Sequence, residues 1–145
     1  MFRYLQISFQ NSVGRLALAS NKRKIMVIDD QYDIVYVVRR HLEKWGHAVD
    51  TFVNPLIALR AFKENPDRYS IVITDIRMPE MSGVVLAKKM QEIKPNTKII
   101  IMTAFELYAS DLMHSLPAIE NDDVLRKPIK IDQVCATVKK HLKDS

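Results

Sequence analysis

Three short, nearly unbroken apolar runs, each closing on a polar residue or running just past one, constrain this chain more than anything else in it. They are residues 24–29 (KIMVID), 69–76 (YSIVITDI) and 97–103 (TKIIIMT). A strand that is apolar on both faces must be covered on both, which is the situation of a parallel sheet between helical layers. The segments between the runs supply the helices. Residues 33–45 carry Ile34, Val35, Val38, Leu42 and Trp45 on one stripe that stops at Gly46. Asn54-Pro55 offers an N-cap followed by proline at the first helical position, opening a helix to about Glu64. Ser82 caps a helix through Val84, Val85, Leu86, Met90 and Ile93, which Pro95 closes. Residues 47–52 and 124–126 read as two further strands, 106–116 as a short, weakly periodic helix and 131–142 as a final amphipathic one. The expectation is an α/β fold of five βα units, a doubly wound five-stranded parallel sheet.

Composition removes several alternatives. A length of 145 residues suits one domain with a real core and is too short for two full-sized ones. The three glycines, Gly14, Gly46 and Gly83, lie far apart, which excludes a Walker loop and a G-x-G-x-x-G turn. Cys135 is the single cysteine, so an internal disulfide and a multi-thiolate zinc site are excluded as well. No apolar run approaches the ~18–20 residues of a membrane span. A reducing, cytoplasmic compartment is expected. The net charge of +5 is carried by Arg3, Arg15, Lys22, Arg23 and Lys24, with no acid among them; the rest of the chain sets 17 bases against 17 acids. Residues 1–23 therefore read as a basic, loosely ordered extension and 24–145 as the domain, which shows no nucleic-acid footprint of its own.

In an open parallel sheet the active crevice lies at the carboxyl ends of the strands. There the chain places Asp29-Asp30, Asp75, Thr103 and Lys127-Pro128. Taken singly, each has a plain reading as a cap, a turn former or a strand end. Taken together, three carboxylates at one edge would repel and raise each other's pKa. A hard divalent cation relieves that repulsion, and oxygen ligands with retained waters suit Mg2+. Lys127 adds a point charge and Thr103 a hydroxyl, which completes a cradle for a phosphoryl group carried by a carboxylate.

From about Lys24 to Lys143 the chain resembles the receiver domain of two-component response regulators. The resemblance rests on Val27-Ile28-Asp29-Asp30, on the block from Thr74-Asp75 through Met78-Pro79 to Ser82-Gly83, on Met102-Thr103-Ala104 and on Leu125-Arg126-Lys127-Pro128-Ile129. It implies a flavodoxin-like sheet of order 2-1-3-4-5. It also implies Asp75 as phosphoacceptor and Mg2+ held by Asp30, Asp75 and the backbone carbonyl of Arg77, with Asp29 acting through a water. Lys127 would pair with the phosphoryl oxygens, Thr103 would hydrogen-bond them, and the Lys127-Pro128 bond would be cis. The implied function is to take a phosphoryl group from a histidine kinase and to signal by changed protein binding to an unknown downstream protein. The alternative is a relay step that passes the group to a histidine phosphotransfer protein. No independent enzyme is expected beyond the chain's own phosphorylation and dephosphorylation, and the state would be a monomer or a phosphorylation-dependent dimer. Eighteen residues follow Lys127, so no DNA-binding domain is expected there. Three positions before the lysine, where many receivers carry a switching aromatic ring, stands Val124; the expected readout moves to Phe105 and Tyr108, after Thr103.

Rival readings fit less well. A haloacid-dehalogenase-type phosphatase expects Asp-x-Asp after the first strand, whereas this chain has Asp29-Asp30-Gln31. A flavodoxin-like carrier would bring its flavin against three carboxylates. A receiver that has lost phosphorylation would not keep Asp30, Asp75, Thr103 and Lys127. Outside the site, Cys135 reads as a small buried hydrophobe, Trp45 as a core residue at a helix end, and Lys88-Lys89 and Lys139-Lys140 as solvated faces.

Overall fold

The structure, a computed structural model, describes residues 23–104, 112 and 114–143. Five parallel strands, β1 (Lys24–Ile28), β2 (Val49–Phe52), β3 (Tyr69–Asp75), β4 (Lys98–Thr103) and β5 (Val124–Arg126), form one sheet of order β2-β1-β3-β4-β5. Four helices are described, α1 (Tyr32–Lys44), α2 (Pro55–Glu64), α3 (Gly83–Ile93) and α4 (Ile131–Lys143). The doubly wound sheet expected from the apolar runs is therefore present, in the order that the resemblance implied.

The strands separate two core layers because successive side chains point to opposite faces. Met26, Ile28, Val72, Ile99 and Ile101 face Leu59 and Phe62 of α2 and Leu86 and Met90 of α3. Ile25, Val27, Ile71, Ile73, Ile100 and Met102 face Val35, Val38 and Leu42 of α1 and Val134 and Val138 of α4. Both faces of the inner strands are covered, which is why their sequences show no polar alternation.

Local chemistry starts the helices where the sequence expects it. The Asn54 side chain accepts from the N–H groups of Leu56 and Ile57, with Pro55 in the first turn, and the Ser82 hydroxyl accepts from Val85 N–H. Trp45 departs from expectation. It lies one residue past α1, its N–H spent on His41 and Leu42, and its side chain is exposed, because the buried stripe ends at Leu42 and Gly46 turns the chain at φ +92°. The helix expected over 106–116 falls largely outside the described residues; Leu112 and Leu116 within it are buried in the α2–α3 layer. Cys135 is half-buried against the α1–α4 layer, and burial raises its thiol pKa. Among the described residues no helix is long and apolar enough to cross a membrane.

At the amino ends of the strands two polar networks tie the layers together. Asp50 accepts from Tyr69 Oη at 2.7 Å and from Lys24 Nζ at 3.0 Å. The buried Asp123 meets His141 Nε2 at 2.6 Å and Lys140 Nζ at 3.3 Å, fastening α4 to the start of β5. Lys140 is thus half-buried and paired, not part of a purely solvated face, because α4 lays it across the Asn121–Asp123 turn.

The close approach of α3 to β3 depends on a missing side chain. Gly83 N–H donates to the Ile76 carbonyl at 2.8 Å, and a Cβ on Gly83 would stand 1.8 Å from the Asp75 carbonyl oxygen. Gly83→Ala must push α3 off the end of β3, and by the usual cost of overpacking it should lose about 1–3 kcal/mol of unfolding free energy in urea titrations. Gly46→Ala meets nothing within 4 Å and should lose only the left-handed backbone penalty of about 1–2 kcal/mol. The Gly83 variant should also disturb chemistry at Asp75, and the Gly46 variant should not.

Candidate functional site

The carboxyl ends of β1, β3, β4 and β5 bring the expected polar residues to one place. Asp29 follows β1 directly, its N–H held by the Phe52 carbonyl at 3.1 Å, and it is fully buried. Its Oδ1 accepts from Gln31 N–H at 2.9 Å. Asp30 turns outward and is exposed. Asp75 closes β3, nearly buried, with Oδ1 accepting from Ile76 N–H at 2.9 Å. The three residues each offer a carboxylate oxygen, and these oxygens lie within 4.8 Å of one another.

Lys127 enters from the turn after β5. Its Nζ stands 2.8 Å from Asp29 Oδ2, 3.4 Å from Asp75 Oδ2 and 3.3 Å from Gln31 Oε1. The Lys127 N–H donates to the Thr103 carbonyl at 2.8 Å, which locks the end of β4 to the lysine, and the Lys127-Pro128 bond is cis. Thr103 is buried at the end of β4. Arg77 is exposed on the loop that follows Asp75. Val124 is half-buried at the start of β5, opposite Ile101 and level with Thr74 and Ile28, the residues just before Asp75 and Asp29. Phe105 and Tyr108 lie outside the described residues.

Gln31 is the site residue that reading the sequence did not find. A glutamine after an acidic pair carries no periodic or motif signal, and its contact spans 96 residues.

The electrostatics are set by burial. Asp29 is held above the usual carboxylate range first by desolvation and also by the Asp75 charge; the hydrogen bond and charge of Lys127 and the Gln31 N–H oppose this without cancelling it. Three carboxylates and one ammonium leave an excess of negative charge, and all the acidic donors are hard oxygens with neither thiolate nor imidazole among them. That donor set fits a hard divalent cation.

A raised folded-state pKa means that stability is greatest below the usual carboxylate range and is lost as pH rises through Asp29's shifted value. Asp29→Asn removes that buried charge. In metal-free buffer the variant should melt higher than the parent near pH 7, with the difference shrinking as pH falls toward 4, and a divalent cation should stabilise the parent more than the variant. Thermal melts across that range check it; a variant less stable at every pH would mean that the Lys127 pair outweighs the desolvation.

The chain matches the family model described as "Response regulator receiver domain" over residues 25–139. It is 36% identical to sporulation initiation phosphotransferase F of Bacillus subtilis over 121 residues, which cover 82% of this chain and 93% of that protein. It is 32% identical to the response regulator receiver protein CpdR of Brucella abortus, over 83% of this chain and 97% of that protein. Among solved structures, a response regulator receiver domain protein of Clostridium thermocellum superposes with a TM-score of 0.74 at 31% identity, covering 84% of this chain and 95% of the other. The response regulator TrrA of Thermotoga maritima, solved with Mg(2+)-BeF, superposes with a TM-score of 0.70 at 32% identity, covering 82% and 98%. With its fold and most of its length matched in this way, the chain belongs to the response regulator receiver domain family of two-component systems.

Proposed function

We propose that Asp75 is the phosphoacceptor and that a histidine kinase is the donor. The observation that carries this reading is the position of the Asp75 carboxylate, at the end of β3, beside Asp29 and Asp30 and 3.4 Å from the Lys127 ammonium. The carboxylate attacks phosphorus, the P–N bond of the donor's phosphohistidine breaks, and the imidazole leaves with the bonding electron pair. Lys127 supplies positive charge to the transferred oxygens, steadied from behind by the buried Asp29 at 2.8 Å. The Thr103 hydroxyl donates to a phosphoryl oxygen; because its carbonyl already holds Lys127 N–H, any movement of Thr103 reaches the turn after β5.

In this reading Asp30 and Asp75, with the backbone carbonyl of Arg77, hold Mg2+, and Asp29 reaches it through a water. The ion, when bound, neutralises charge on the phosphoryl oxygens. A solved relative carrying Mg(2+)-BeF, TrrA of Thermotoga maritima, supports Mg2+ as the ion.

The output is changed binding to a downstream protein. Val124 is stiff at χ1 and packs against the α2–α3 layer, so it gives no swinging lever. The readout therefore runs through the residues that follow Thr103 in the sequence, with Phe105 and Tyr108 supplying the aromatic rings. Residues 24–145 carry this function and 1–23 are an appended basic segment; a cytoplasmic location goes with the reading. A relay role, suggested by the name of the Bacillus subtilis relative, stands second because no residue of this chain favours it.

Acetyl phosphate with Mg2+ should label the protein, and Asp75→Asn should reduce labelling to background while its near-isosteric amide keeps the fold. Undiminished labelling of that variant overturns the assignment. Lys127→Ala should still accept phosphate but lose the phosphorylation-dependent change in amide hydrogen exchange.

A further inference from the structure

Gln31 occupies the N-cap of α1, at φ −91° and ψ 109°, yet its side chain makes no capping hydrogen bond. Glutamine is a poor residue for that position, where shorter side chains reach back to the helix N–H groups. Its main chain is fully used instead. The N–H donates to Asp29 Oδ1 at 2.9 Å, and the carbonyl accepts from Ile34 N–H at 3.0 Å. The side chain runs the other way, across the strand ends, and its Oε1 accepts from Lys127 Nζ at 3.3 Å.

An ammonium has three N–H donors. Asp29 Oδ2 and Asp75 Oδ2 face the Lys127 ammonium as charged ion-pair partners, and Gln31 Oε1 is the neutral oxygen that accepts its hydrogen bond. We propose that Gln31 is a positioning residue for phosphoryl transfer, a neutral tether that holds the Lys127 ammonium over Asp75 and lets it follow the phosphoryl group. This rests on the reading of Asp75 as phosphoacceptor. The tether's neutrality is the physical point. A carboxylate in its place would set a fourth acid against an incoming dianion, and an apolar side chain would leave one N–H to water and the ammonium free to swing. Because Gln31 caps nothing with its side chain, replacing it does not remove a helix-stabilising bond.

Two variants separate the tether from a structural role. Gln31→Met keeps the length and removes the acceptor; Gln31→Glu keeps the acceptor and adds charge. Three quantities are read on each full-length protein: the rate of labelling by acetyl phosphate, Mg2+ affinity by calorimetry, and the exchange of the Lys127 ammonium protons by 15N NMR. Loss of one solvent-exposed hydrogen bond from the ammonium to a neutral acceptor predicts labelling about three- to tenfold slower in Gln31→Met. Its Mg2+ affinity should be unchanged and its Lys127 protons should exchange faster. Gln31→Glu should restore the slow proton exchange yet still label slowly. Unchanged proton exchange in Gln31→Met overturns the proposal, as does Mg2+ binding that weakens in step with labelling. If the parent protein itself takes no label, the phosphoacceptor reading fails, while the ammonium exchange still decides whether Gln31 holds Lys127.

Discussion

The contact of the Lys127 ammonium with the buried carboxylate of Asp29, at 2.8 Å, is the interaction on which the candidate site depends. A carboxylate with no exposed surface loses its hydration, and that loss is only partly offset by one nearby cation. At Asp29 the cost falls where the chain leaves the sheet at the end of β1. Lys127 must come from the far side of the molecule to meet Asp29, since β5 and β1 are separated by β3 and β4. The pair therefore ties the last strand's turn to the first strand's end. Any change in the charge on Asp75, 3.4 Å from the same ammonium, is felt at both.

The two ends of the sheet divide the work. At the amino ends, Asp50 with Tyr69 and Lys24, and Asp123 with His141 and Lys140, are hydrogen-bonded networks that hold helices and strands in register. Burial alone would raise the Asp50 carboxyl, but the hydrogen bonds from Tyr69 and Lys24 more than reverse this and leave it below the usual range. At the carboxyl ends the opposite holds: Asp29 stays above that range, in surplus negative charge. Stability is concentrated at one end and unbalanced charge at the other, as expected of a scaffold that keeps a reactive edge.

Much of this was legible in the sequence because the strands are short, apolar on both faces and punctuated by charge. Asn54 and Ser82 announced their helices by local chemistry that needs no tertiary context. Asp29, Asp30, Asp75, Thr103 and Lys127 could be collected at one edge by the rule that strands end there. Trp45 misled because a stripe at helical spacing does not say where the helix stops being buried. Gln31 and the Asp123–His141 pair were invisible for another reason. Their partners lie 96 and 18 residues away, and no period connects them.

The central claim is that one carboxylate among three neighbours becomes the acyl phosphate. Borohydride reduces an acyl phosphate to the alcohol and so converts a phosphorylated aspartate to homoserine. Peptide mapping by mass spectrometry after Mg2+-dependent phosphorylation and reduction should find homoserine in place of Asp75, with Asp29 and Asp30 unchanged. Homoserine at Asp29 or Asp30, with Asp75 intact, would contradict the account.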